Sequence, residues 1–158
     1  DRTELLRFRQ SCRGGHVNTF PDGEITVRLL EKTHGFDYAA DAAALYRDAG
    51  WIGEEDSTDF IPEVLKNSFC VVGAFHRGRM IGMMRALSDG VSDAYLLDMV
   101  VLTEFRGHGI AARILDCITT HLKGLGIDWI VCISVPGVEK LYLRRGETME
   151  KHTPIRFR

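Results

Sequence analysis

The run Arg106-Gly107-His108-Gly109-Ile110-Ala111 joins two segments of different period. Before it, Ala94 to Leu102 is an apolar run of strand length, interrupted by Asp98. After it, Ile110, Ile114, Ile118 and Leu122 recur every four residues, with Ala111 and Leu115 beside them. That period predicts one long helix over Gly107 to Lys123, stopped by Gly124 and Gly126. A strand that runs through two glycines into a helix makes an anion site. Successive N–H groups at the helix start, and the positive end of its dipole, favour a phosphate or pyrophosphate. Glycine lets the backbone approach without Cβ interference, and Arg106 at the mouth is a charge-assisted donor. The blander alternative is a purely structural strand-to-helix turn.

The elements around this turn follow from periodicity and breakers. Ile25, Val27 and Leu29 alternate within Glu24 to Leu30, as in a half-buried strand. Phe36 to Ala49 reads as an alanine-rich helix closed by Gly50, and a short helix follows from about Asp59 to Asn67, with Pro62 early in it. Ser68 to His76 and Arg79 to Ser88 are β-rich and meet at a hairpin turn, Arg77-Gly78, and Gly82 marks a bulge or a close backbone approach. Asp128 to Ser134 is nearly all apolar and reads as a central strand buried on both faces. A short helix is expected from Val138 to Arg145, and one or two edge strands within Thr148 to Phe157. The expected fold class is mixed α/β in a single domain over residues 24–158. Residues 1–23 read as an N-terminal extension, either a mobile basic tail or a short amphipathic helix.

Composition removes several functions. In 158 residues, 22 acidic and 20 basic side chains leave a net charge of -2, so no basic face for nucleic acid is expected. The apolar stretches fall short of the roughly 20 residues that a membrane span needs. The six histidines show no zinc-ligand spacing, and no metal is expected. Cys12, Cys70, Cys117 and Cys132 lack a C-x-x-C spacing, and Cys117 and Cys132 read as free thiols within apolar segments. A reduced, cytoplasmic protein is the expectation.

Gly107-x-Gly109-x-x-Ala112, with Asp128 about twenty residues on, also fits a dinucleotide fingerprint. Its context does not. Three β segments precede the motif as a meander, Asp128 begins its strand, and about thirty residues remain after that strand. No Gly-Lys-Ser/Thr follows, which excludes a Walker loop.

The sequence resembles the GNAT superfamily of N-acetyltransferases, whose Gln/Arg-x-x-Gly-x-Gly/Ala turn lies between the fourth strand and the third helix. Arg106, Gly109 and Ala111 match the turn, and Tyr142-Leu143-Arg144-Arg145-Gly146 resembles the family's Tyr-x-x-x-Gly helix. The order of elements agrees from Glu24 to the C-terminus. An Asn often found near the last helix is absent, with Val135 and Pro136 in that region. The resemblance implies a mixed, mostly antiparallel sheet flanked by helices and splayed between its fourth and fifth strands, with acetyl-CoA in the splay. It implies donor contacts from Met99, Val100 and Val101, from Arg106, Gly107, His108, Gly109, Ile110 and Ala111, and from Tyr142. Arg113, Arg144 and Arg145 could meet the outer phosphate or be plain solvated charges.

The implied reaction acetylates a primary amine of a small molecule or peptide in a ternary complex. The alternative is a CoA-binding regulatory module without catalysis. Tyr142 is the candidate general acid for the departing thiolate, or else a half-buried packing residue. Asp98 is the candidate base, or else a carboxylate capping a bulge; Glu104 or Asp93 acting through water, or a water chain alone, are the other routes. Asp89, Asp93, Asp98 and Glu104, with no Lys or Arg between Ala86 and Phe105, favour a cationic acceptor if they line its mouth. Trp51 and Phe60 could wall that side. A homodimer through strands of the tail is compatible with the pattern.

Overall fold

The computed structural model describes residues 19–20, 23–31 and 37–158. Its strands are β1 (Gly23–Leu29), β2 (Cys70–His76), β3 (Arg79–Ser88), β4 (Asp93–Val101) and β5 (Trp129–Cys132). The helices are α1 (Ala39–Asp48), α2 (Ile61–Asn67), α3 (Ile110–Gly124) and α4 (Glu139–Leu143), with a 3-10 turn at Thr103–Phe105. A two-residue strand, Thr19–Phe20, pairs back on β1 and makes the sheet six-stranded, in sequence order throughout. Every pairing is antiparallel except β4 with β5, which is parallel across the α3 crossover. The mixed α/β expectation holds. The reading of residues 1–23 as tail or amphipathic helix lies outside the described residues except at Thr19, Phe20 and Gly23, which are in strands.

The two faces of β3 show how the layers are built. A Cβ on Gly82 would stand 3.2 Å from Ile114 of α3 and 3.1 Å from the Val100 carbonyl oxygen. The close approach expected at Gly82 is therefore real, with α3 on that face. Three residues on, Arg85 points to the opposite face, toward Tyr46 of α1 and Ser68 at the end of α2. Ile110, Ile114, Ile118 and Leu122 of α3 are buried against the sheet, as their four-residue spacing predicts. Arg77 and Gly78 both take positive φ, 51° and 81°, as a two-residue hairpin of this twist requires.

Four expectations are corrected. β5 is an edge strand, with Trp129 half-exposed and Ile133 beyond it exposed, not a central strand buried on both faces. Apolarity suits either place; only a partner on the outer side would make the strand central. That partner was to come from Thr148–Phe157, which forms a turn closed by His152 N–H to the Met149 carbonyl and no strand. Cys117 is disulfide-bonded, while Cys70 and Cys132 are not in a disulfide. The reading of Cys117 as a free thiol is thereby overturned, and the expectation of a reduced protein loses that support. Helix α3 also begins at Ile110, three residues late, because Gly107 and Gly109 both have positive φ. No helix of the described residues is long and apolar enough to cross a membrane.

The turn from β3 to β4 is organised by one carboxylate. Asp89 accepts the N–H groups of Val91, Ser92 and Asp93 at 2.8, 3.0 and 3.1 Å. These bonds favour its charged form and pull its pKa from 3.8 to about 2. Its folded pKa lies below the unfolded value, so its contribution is present above about pH 4 and fades as pH falls toward 2. Chemical denaturation of Asp89→Asn and wild type between pH 6 and pH 2 should give a stability gap that closes at the acid end. A gap that is constant with pH would show that the charge of Asp89 does not hold the turn.

Candidate functional site

The site begins where β4 loses a neighbour. β5 pairs with Asp93 to Leu96 of β4 and stops at Cys132. From Leu97 to Val101 the side of β4 facing away from β3 has no strand beside it, over roughly 17 Å. Leu102 N–H donates to the Ile81 carbonyl on β3 at 2.9 Å, and Val100 pairs with Met83. By the alternation of an antiparallel ladder, the peptide groups of Met99 and Val101 then point to the open side. Of Met99, Val100 and Val101, which the resemblance implies as donor contacts, Met99 and Val101 have backbone facing the gap, whereas Val100 pairs with Met83 of β3.

β4 also bulges where the gap begins. Between Met83 and Arg85 of β3, the partner residues advance from Val100 to Leu97, so β4 carries an extra residue. That residue is Asp98, with φ 56°, a conformation that Asp tolerates better than most side chains. Its carboxylate accepts from Arg85 Nε at 2.5 Å and from the Tyr46 hydroxyl at 2.6 Å. Arg85 reaches on to Ser68 Oγ at 3.4 Å, and Ser68 donates to the Val64 carbonyl at 2.7 Å. Burial, then the bond to Asp98, pushes the Tyr46 phenol well above its ordinary range, so it remains a donor. Trp51 packs edge-on to Tyr46 at 5.1 Å, with Phe60 at 6.3 Å, and both are partly exposed.

At the far end of the gap the chain enters the glycine turn. A Cβ on Gly107 would meet nothing within 4 Å, and Gly107, His108 and Gly109 are all exposed. Gly109 is the N-cap of α3, left-handed at φ 74°, so the N–H groups of Ile110 and Ala111 open the helix. Arg106 does not extend into this turn. Its Nε donates to the Val101 carbonyl and its Nη2 to Asp48 Oδ2, both at 2.8 Å. Asp48 Oδ2 also accepts from Thr103 N–H at 3.1 Å and from Thr103 Oγ1 at 3.0 Å.

Tyr142 lies on α4, half-buried and packed against the core. Burial raises its pKa, and neighbouring Cys132, the last residue of β5, adds to the rise. The phenol is thus protonated at neutral pH and lies beside the point where β4 and β5 part. Other predicted charges are engaged elsewhere: Arg113 donates to the Ile25 carbonyl at 3.0 Å, and Arg145 pairs with Asp116. The four acids do not share one mouth. Asp89 and Asp93 sit at the β3–β4 turn, Glu104 faces Arg79, and Asp98 is held by Arg85. Among the described residues no group of three or more His, Cys, Asp or Glu is placed to hold a metal.

Sequence reasoning missed Arg85, Tyr46 and Asp48. Arg85 had a signal, being the lone charge inside the apolar stretch Met80–Leu87, on the strand next to that of Asp98. Tyr46 and Asp48 lie about fifty residues from their partners and had none.

The family model described as the acetyltransferase (GNAT) family matches residues 38–146. An uncharacterized ycf52-like N-acetyltransferase of Prochlorococcus marinus is 29% identical over 94 residues, 57% of this chain. The chain spans about half of that relative's length, 52%. A protein of unknown function and probable acetyltransferase from meticillin-resistant Staphylococcus aureus superposes with a TM-score of 0.68 at 20% identity, covering 85% of this chain and 98% of that one. A predicted acetyltransferase of Clostridium acetobutylicum, solved with acetyl-CoA, gives 0.65 at 14% identity, covering 84% and 96%. At these identities the structural likeness is one of fold.

The Asp98–Arg85 pair is largely out of water, with side chains 23% and 14% exposed. Removing one partner of such a pair leaves an uncompensated charge. Arg85→Met should lower stability by about 3 kcal/mol in urea denaturation. Adding Asp98→Asn should restore part of the loss, because no charge is then stranded. A double variant no more stable than the single one would mean that the pair does not carry the cost.

Proposed function

The chain belongs to the GNAT family of acetyltransferases, and on that premise we propose that it moves an acetyl group from acetyl-CoA to a primary amine of a small molecule or peptide. Both substrates are bound together and the amine attacks directly. The observation that carries this reading is the open half of β4, Leu97 to Val101, leading into an exposed glycine turn at a helix start. An extended amide-bearing arm needs a strand edge, and the pyrophosphate beyond it needs clustered N–H groups. In this chain the two follow one another without interruption.

In this mechanism Met99 and Val101 offer backbone groups to the arm, with Val100 between them turned to β3. Arg106, Gly107, His108, Gly109, Ile110 and Ala111 form the phosphate loop. Arg106 acts there by shaping the turn, since its guanidinium is bonded to Val101 and Asp48. The neutral amine nitrogen bonds to the thioester carbonyl carbon, and a backbone N–H of Met99 to Val101 steadies the oxyanion. The carbon–sulfur bond then breaks, the sulfur takes the Tyr142 phenolic proton, the amine's extra proton leaves to water, and water returns a proton to the phenolate. The raised pKa of Tyr142 keeps that proton available. Asp98, bonded to Arg85 and Tyr46, is better suited to capping the bulge than to serving as base.

Thermal unfolding with acetyl-CoA, CoA or NAD at a hundred times the dissociation constant tests the donor. Binding at that level stabilises by about 2.7 kcal/mol, a rise of roughly 5–10 °C for this chain length. Both CoA species should give it and NAD should not. Gly107 has positive φ and open space, so Asn and Asp are the side chains that strain it least, and to a similar degree. Gly107→Asp should abolish the shift by placing a carboxylate in the anion site, whereas Gly107→Asn should keep much of it. Equal binding by all three proteins would move the phosphate elsewhere.

Product formation with a panel of amines separates an enzyme from a CoA-binding module. Tyr142→Phe should lower turnover about 100-fold with donor affinity little changed. Wild-type turnover should rise with pH as the amine loses its proton, and should not fall below about pH 10, the ordinary range of a tyrosine. An unchanged rate in the variant would leave Tyr142 a packing residue.

A further inference from the structure

Asp48 is the last residue of α1, where the negative end of the helix dipole disfavours an acid. A locally unfavourable charge is retained for a tertiary reason when its surroundings repay it. Here one oxygen, Asp48 Oδ2, accepts three hydrogen bonds from the chain between β4 and the glycine turn. Two come from Thr103 and the third from Arg106. Arg106 in turn closes the Val101 carbonyl, the last acceptor on the open edge of β4. Asp48, Arg106 and Val101 thus form one continuous link from α1 to the end of the gap.

The same helix holds the other end of the gap. Two residues earlier, Tyr46 donates to Asp98 at the bulge. The final turn of α1 therefore grips the open half of β4 at both limits, Asp98 on one side and Thr103 to Arg106 on the other. A strand segment with a neighbour on one side only has fewer bonds to fix its course. The missing neighbour is compensated from α1.

We infer that Asp48 is a positioning residue for the acyl donor, setting the open edge of β4 and the phosphate loop in one register through Thr103 and Arg106. The inference rests on the donor reading above. It assigns to α1 a part in donor binding through contacts that do not touch the donor. Asp48→Ala removes all three acceptor bonds, freeing Thr103 and leaving the Arg106 guanidinium held only by its bond to the Val101 carbonyl. Asp48→Asn keeps an oxygen for Thr103 and gives up the charge that pairs with Arg106.

Amide hydrogen exchange of the ligand-free protein, combined with CoA titration calorimetry well below the melting temperature, tests this. Asp48→Ala should speed exchange across residues 99–109 and weaken CoA binding about 10-fold, with Asp48→Asn between it and wild type. Leu65→Ala, a buried position on α2, is the control for lost stability alone; it should lower the melting temperature and leave CoA affinity unchanged. Unchanged exchange in 99–109 would overturn the clamp whether or not CoA binds. Faster exchange with unaltered CoA affinity would overturn the positioning role. Wild type that fails to bind CoA would remove the donor reading and this role with it, while the exchange data would still report on the clamp.

Discussion

The parting of β4 from β5 after Leu96 is the constraint on which the rest of the site depends. A sheet is stable because each strand satisfies its neighbours' peptide groups, and an open stretch inside the fold forgoes that. Here the opening is bounded by structure at both ends. A bulge at Asp98 begins it and the Arg106 bond to the Val101 carbonyl ends it. Between these limits the peptide groups of Met99 and Val101 turn to the gap, while Val100 pairs with Met83 of β3. Among the described residues the protein thus carries half of a ladder, the half that the proposed donor would complete.

Holding that half-ladder requires polar contacts, and their placement is selective. The open edge is fixed from the α1 face by Arg85, Tyr46 and Asp48, while the α3 face of the sheet meets it through close apolar packing at Gly82 and Ile114. Apolar packing suits a face where only proximity matters. Directional bonds are needed where the course of one strand has to be set. The bulge shows the difference: Asp98 takes a left-handed conformation that costs energy, and a salt bridge and a phenol bond offset it.

Legibility in the sequence followed the range of the interaction. The glycine turn, the long helix after it and the β2–β3 hairpin are written in neighbouring residues, and Gly107, Gly109, Ile114 and Arg77-Gly78 took their expected places. The open edge at Met99 and Val101 came from family resemblance, since no local pattern says that a strand is paired along only half its length. Contacts between distant segments were invisible. Asp48 reads as an ordinary helical acid until Thr103 and Arg106 are brought to it. The edge position of β5 failed in the same way: four apolar residues look alike with one neighbour or two.

This division also explains why the donor side can be read further than the acceptor side. A phosphate and an amide arm are met by backbone N–H groups, whose placement follows from glycine, helix start and strand direction. Side chains converge only when separate elements meet, as Trp51 and Phe60 do around Tyr46, and a sequence does not announce such a cluster. The four acids illustrate the limit. They are close in sequence between Ala86 and Phe105, yet the fold spreads them over the β3–β4 turn, the bulge and the 3-10 turn. Spacing along a strand alternates faces and ends, so a run of like charges is no evidence of a shared pocket. Side-chain chemistry that selects an acceptor is a property of the folded surface, whereas a glycine turn at a helix start is already implied by the order of glycines and apolar residues.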